Sequence, residues 1–107
     1  MIELLAVQDR FQLKGLGVVL IPDFSVPKGW KNLSEKITIV QPDGSSLETL
    51  GQFNAAHFNT SDPNVPLDSH WRIVVTLPDL KKESVPVGSK IFVSESVNRA
   101  IYADQGG

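Results

Sequence analysis

Apolar residues along this chain recur mainly at every second position, the spacing of a half-buried strand. Leu5, Val7, Phe11 and Leu13 share one side, and Gln8, Arg10, Gln12 and Lys14 share the other, which predicts a first strand over about Glu3–Leu13. Gly15-Leu16-Gly17 then turns the chain into a second apolar run, Gly17–Ile21. Pro22, Pro27 and Gly29 mark a long loop. The β-branched run Lys36–Gln41 predicts a third strand. Gln41-Pro42-Asp43-Gly44-Ser45 carries strong turn chemistry and joins it as a hairpin to a fourth strand over Ser46–Ala55. Gly51 inside that strand signals a bulge or a close backbone approach.

Ala56–Ser69, rich in Asn, Asp, Ser and Pro, reads as a loop. Trp71, Ile73, Val75 and Leu77 alternate with Arg72, Val74 and Thr76 in a fifth strand, half to fully buried. Leu80–Ser84 predicts one helical turn, Val85–Ser89 a tight turn, and Lys90–Val93 a sixth strand. From Ser94 the periodicity weakens. Val97, Ala100, Ile101 and Tyr102 suit a docked turn or a final strand, and Ala103–Gly107 a frayed end.

Many short strands with Gly/Pro turns predict an all-β barrel or sandwich. A barrel is favoured because so small an open sheet would leave long edges unprotected. Its interior is expected to take in Phe11, Ile39, Phe53, Ile73 and Ile91. One domain is expected over 1–107, with the barrel at about 3–94 and a C-terminal tail at 95–107. Hydrophobic residues make up 41%, enough for a packed core.

Ten Lys plus Arg against twelve Asp plus Glu give a net charge of −2, which excludes binding to nucleic acid by bulk charge. The absence of Cys excludes disulfides, thiolate metal sites and thiol nucleophiles. The N-terminal apolar stretch lacks a leading positive charge and is interrupted by Glu3, unlike a secretory signal. No apolar run approaches the ~18 residues of a membrane helix. The expectation is a cytoplasmic protein without a membrane span.

The stretch Val7-x-Asp9-x-Phe11-x-Leu13-x-Gly15-x-Gly17-x-Val19 resembles the opening of the second domain of elongation factor Tu and related translational GTPases. Lys28-Gly29, Leu33 and Glu35–Ile39 are similar to that domain's loop and third strand. Leu77, Leu80, Lys82, Val85 and Gly88 are similar to its closing segment. The resemblance covers most of residues 4–93 and implies a closed six-stranded Greek-key barrel. Two positions depart from the family pattern: Leu16 replaces the usual Arg between the glycines, and Ile21-Pro22-Asp23 replaces a Thr or Ser followed by Gly. No Gly-x-x-x-x-Gly-Lys-Ser/Thr phosphate loop occurs, so no nucleotide triphosphate is expected and the chain resembles the barrel alone.

The resemblance also implies a binding site. Leu13, Gly15 and Val19 match positions that, in the family, help line a pocket for the aminoacylated terminal adenosine of transfer RNA. The plainer role for all three is barrel core and turn. Gln52, Phe53, Asn54 and His57 stand near the end of the fourth strand, where that pocket's framing residues belong.

Asp9 falls in the apolar register, where a carboxylate is costly without hydrogen bonds. It is expected to accept backbone N–H bonds from a turn such as that at Gly15. His57, His70, Asp62 and Asp68 follow no metal-ligand spacing and read as solvated loop residues. No Ser lies in a nucleophile-elbow context. Arg10, Lys14, Lys28 and Lys31 with Trp30 would suit single-stranded nucleic acid if gathered at one end, or else form an ordinary charged surface.

These readings lead to a non-catalytic binding module without cofactor or metal. The expected partner is a translation protein or an RNA end. Its candidate residues are Leu13, Gly15, Leu16, Gly17, Val19, Trp30, Asn54 and His57, on a face built from Gly15–Gly17, the Phe24–Trp30 loop and the Ala56–Ser69 loop. The alternative is a small immunity or inhibitor-type protein that binds one protein through a flat patch. An enzyme is disfavoured because no acid–base pair, nucleophile or metal set stands out.

Overall fold

A computed structural model describes residues 1–57 and 71–102. These residues form seven strands: β1 Ile2–Ala6, β2 Asp9–Leu13, β3 Gly17–Ser25, β4 Leu33–Val40, β5 Ser46–His57, β6 Trp71–Leu77 and β7 Lys90–Val93. A 3-10 turn occupies Lys82–Ser84, and one helix, α1, spans Glu95–Ile101. All strands join one antiparallel sheet in the order β1-β7-β4-β5-β6-β3-β2, which curls into a half-barrel. Among the described residues the fold is thus all-β apart from α1 and the 3-10 turn.

Both edges of this sheet belong to one continuous stretch of chain. The first strand predicted from sequence is divided at Val7-Gln8, where the backbone changes partners. The Val7 N–H donates to the Ser89 carbonyl (2.7 Å), and the Val7 carbonyl accepts from the Gly88 N–H (2.8 Å). The next residue turns the other way: the Gln8 N–H donates to the Ile21 carbonyl (2.9 Å). Ahead of the break β1 pairs with β7; after it β2 pairs with β3. Beyond the break the segment that leads into β7 is held through side chains. Arg10 Nε donates to the Val85 carbonyl (2.9 Å), and the Lys82 N–H donates to Gln12 Oε1 (2.8 Å).

This switch overturns two expectations. Phe11, assigned to the interior, is 49% exposed. Leu4, Leu5 and Val7 are buried, but past Val7 it is Arg10 and Gln12 that point at the 82–85 segment, leaving Phe11 and Leu13 facing out. Asp9 is exposed with them, so it carries no burial cost, and its carboxylate accepts from the Arg10 N–H (2.8 Å) rather than from the Gly15 turn. The other four interior residues, Ile39, Phe53, Ile73 and Ile91, are fully buried in one cluster with Val18, Leu20, Ile37, Val75 and Leu77.

Other boundaries shift modestly. β3 runs on through Pro22 to Ser25, with a register irregularity between Leu20 and Phe24. β4 begins at Leu33 rather than Lys36, and β5 continues to His57. Gly51 pairs in regular register with Glu35, so no bulge forms there. A Cβ at Gly51 would sit 3.1 Å from the Ile37 side chain, which is the close-approach alternative. The tail folds as α1, capped by the Ser94 hydroxyl, which accepts from the Val97 N–H. Val97 and Ile101 bury against the core, and the Tyr102 ring meets Phe24 edge-on at 5.8 Å. Ala103–Gly107 lie outside the described residues.

The hairpin turn between β4 and β5 holds its shape through Asp43. Its carboxylate accepts from the Ser45 hydroxyl (2.6 Å) and the Ser45 N–H (2.9 Å). These two bonds favour the ionised form and lower the Asp43 pKa below its ordinary carboxylate value. A depressed folded-state pKa means the turn's stabilisation is complete above the unfolded-state value and is lost as pH falls through the folded-state one. Acid titration followed by NMR is expected to show Asp43 as a low-titrating carboxylate, and Ser45→Ala to return it towards the ordinary range.

Candidate functional site

The outward side of the sheet across β5, β6, β3 and β2 carries a largely apolar patch. On β3, Val18 and Leu20 point in while Val19 and Ile21 point out. Cross-strand pairing sets Phe11 beside Val19 and Leu13 beside Gly17. On β6, Val74 and Thr76 face outward, and neighbouring side chains on that face bury both.

Two adjoining depressions result. One, of about 300 Å³, is lined by Phe11, Leu13, Val19, Ile21, Asp23 and Val74. The other, of about 240 Å³, is lined by Leu13, Leu16, Val19, Gln52, Asn54, Ala56, Val74 and Thr76. They share Leu13, Val19 and Val74 and so form one continuous surface. Leu13 is 43% and Leu16 56% exposed, so with Phe11 they present a cluster of large apolar side chains to solvent.

Charge is nearly absent from this lining. Its one ionised group among the described residues, Asp23, is held by Arg72, whose Nη2 lies 3.0 Å and Nε 3.1 Å from Asp23 Oδ1. Arg72 Nη1 also donates to the Ser25 hydroxyl (3.2 Å). The polar rim consists of the amide side chains Gln52 and Asn54 and the Thr76 hydroxyl. These groups can orient a partner by hydrogen bonds but cannot neutralise phosphates.

The Gly15–Gly17 turn makes this surface. Gly15 and Gly17 have φ of +84° and +98°, a region that favours glycine, and the Leu16 N–H closes the turn onto the Leu13 carbonyl (3.1 Å). Gly17 additionally lies so close to β6 that a Cβ would stand 2.3 Å from the Leu77 carbonyl oxygen. That approach brings Leu16 to the rim beside Thr76.

Four of the residues expected from sequence, Leu13, Leu16, Val19 and Asn54, thus line one depression, together with Gln52. Trp30 does not join them. It lines a different cleft with Lys28 and Lys31, so the single face expected from Gly15–Gly17 and the Phe24–Trp30 loop is divided in two. Phe24 is buried inside β3 rather than in that loop. Arg10 and Lys14 do not line the Trp30 cleft, and Arg10 is engaged by Val85. The His57 backbone pairs with Trp71 at the far end of β5, while His70, Asp62, Asp68 and most of the Ala56–Ser69 loop lie outside the described residues.

Sequence reasoning missed Phe11, Ile21 and Val74 as residues that line the outer face. The available signal was the unbroken apolar runs Val18–Ile21 and Ile73–Val75, which put apolar residues on both faces of two neighbouring strands. Among the described residues no group of three or more His, Asp or Glu could hold a metal, and no helix is long and apolar enough to cross a membrane. No protein-family model, curated protein or solved structure matches this chain.

Proposed function

We propose that this chain is a non-catalytic binding module, a closed six-stranded barrel of the kind found as the second domain of translational GTPases, that holds a protein partner on its outer apolar face. The barrel reading is supported by the continuity of the two sheet edges: counted as one bent strand, β1 and β2 leave six strands with no free end between Val7 and Gln8. The binding reading is carried by one observation, the exposure of Phe11, Leu13 and Leu16 on the same face as Val19 and Val74. Such side chains contribute most when a partner removes them from water. The near-absence of cations on this lining favours a protein over an RNA end.

Leu16→Asp is expected to leave stability within about 0.5 kcal/mol of the parent, as solvent-facing changes do, and Leu13→Asp, at a half-buried position, to cost about 1 kcal/mol. Each is expected to weaken partner capture by roughly tenfold or more, because an unpaired carboxylate would be desolvated in the complex. The measurement is affinity capture with parent and variant proteins, with and without nuclease, followed by identification of what is retained. A partner shared with the translation apparatus, lost in both variants and indifferent to nuclease, supports this reading. RNA recovered only without nuclease moves the assignment to an RNA end. A single stoichiometric protein unconnected with translation moves it to the inhibitor-type class. Undiminished capture by both variants removes the face from consideration.

A further inference from the structure

We infer that β2 is a strap that peels from β3 and closes again while the rest of the sheet stays folded. Phe11 and Leu13 of the outer apolar face ride on β2, so opening takes that face apart and closing rebuilds it. A partner seated on the face holds the strap shut, because it binds the closed form alone. For this effect on binding the inference rests on the proposed function; the motion itself does not.

Three features of β2 point to the motion. The first is its lack of burial. None of the residues Asp9–Leu13 is buried, whereas each of the other described strands contributes at least one side chain to the core. Covered apolar area is the main favourable contribution to folding, so β2 gives up little when it leaves β3.

The second feature is position. β2 ends the sheet, and among the described residues its backbone pairs with β3 alone. The strand at the other end, β1, is tied down: Leu4 and Leu5 are buried, and the Tyr102 hydroxyl donates to the Leu4 carbonyl (3.4 Å). On the open side of β2 the printed holds are two, both through its side chains. Arg10 Nε donates to the Val85 carbonyl, and Gln12 Oε1 accepts from the Lys82 N–H. Each such bond orders a long polar side chain, which offsets much of its gain.

The third is a pair of fixed ends. Val7 is held by backbone bonds to Ser89 and Gly88, and Gly17 lies against the Leu77 backbone. Gln8–Leu16 thus spans two anchored points. A segment with few buried contacts between such points opens at a lower free energy than the whole domain.

The test is native-state amide hydrogen exchange of the full chain, read by NMR at several urea concentrations below the unfolding transition. The β2 amides that bond to β3 are expected to exchange about a hundredfold or more faster than those of Ile37–Ile39 and Phe53, at rates that urea barely changes. The amides of β4 and β5 are expected to follow the urea slope of global unfolding. Arg10→Ala combined with Gln12→Ala removes both side-chain bonds and is expected to speed β2 exchange by roughly tenfold or more.

The inference is overturned if these β2 amides share the rates and the urea slope of β4 and β5. It is equally overturned if they show no protection, since the strap would then never be shut, or if the double variant folds and leaves their exchange unchanged. The urea slopes of the parent protein decide between local and global opening without any variant. Undiminished capture by the Leu13 and Leu16 variants would remove the face and leave the strap. A β2 that opens only with the whole sheet would remove the strap and leave the face.

Discussion

Gly17→Ala is expected to destabilise the protein by about 3 kcal/mol or more, a large share of the roughly 5–15 kcal/mol that keeps a domain of this size folded. Two separate costs combine. The backbone there has φ +98°, where an L-residue with a Cβ costs about 1–2 kcal/mol. The new methyl would also stand 2.3 Å from the Leu77 carbonyl oxygen and 2.6 Å from Pro78 Cα, both backbone atoms that no rotamer change can move. Relief requires β3 and β6 to separate where Val18 pairs with Leu77, beside fully buried core.

Gly15→Ala is the matched control. Its φ is +84°, yet a Cβ there meets nothing within 4 Å. It should cost only the backbone term, about 1–2 kcal/mol. Urea unfolding of the two variants separates these costs. Equal losses at both positions would mean that β6 leaves room for a side chain at Gly17.

Phe53→Ala and Phe11→Ala are expected to part company just as widely. Phe53 is fully buried at the centre of the sheet, paired with Leu33 on one side and Val75 on the other. Truncating it leaves a cavity that close-packed neighbours cannot fill, at a cost of about 3–5 kcal/mol. Phe11 is 49% exposed, and its loss should cost about 1 kcal/mol or less. What Phe11→Ala is expected to reduce instead is partner capture. Thermal and urea unfolding, set beside the capture assay, check both halves of the contrast. Similar losses of stability would place Phe11 inside and remove the apolar face with it.

Stability and binding are thus assigned to opposite sides of the same strands. Gly17 serves both: its close approach to Leu77 packs β3 on β6 and carries Leu16 to the rim of the depression. A Gly17→Ala protein that still folded would be expected to bind poorly, since displacing the turn moves Leu16 away from Thr76 and Val19.

Much of the fold is legible in local pattern. Alternation over Trp71–Leu77 and Lys90–Val93 marks both strands with the bounds they adopt and singles out Ile73 and Ile91 as interior, as the pattern of the two preceding strands does for Ile39 and Phe53. The turn at Gln41–Ser45 is equally legible, because Pro, Asp and Gly each carry a conformational preference that acts within a few residues. Leu13, Leu16, Val19 and Asn54, expected on one face, do line one depression, although the plainer reading gave Leu13 and Val19 to barrel core and turn.

What the amino-acid order could not convey is which side of an apolar strand would be covered. A period of two separates the faces of a strand but does not say which one meets the core. Val7 and Gln8 turn their hydrogen bonds to opposite neighbours, one to residues 88–89 and one to Ile21, partners remote in sequence in both cases. Only the assembled sheet fixes that exchange, and with it the burial of Val7, the exposure of Phe11 and Leu13, and the apolar face they share with Val19 and Val74. Trp30 fell to the same limit: a loop residue's neighbours are set by elements folded from both ends of the chain, here Leu33 and Ala100, and no local signal reports them.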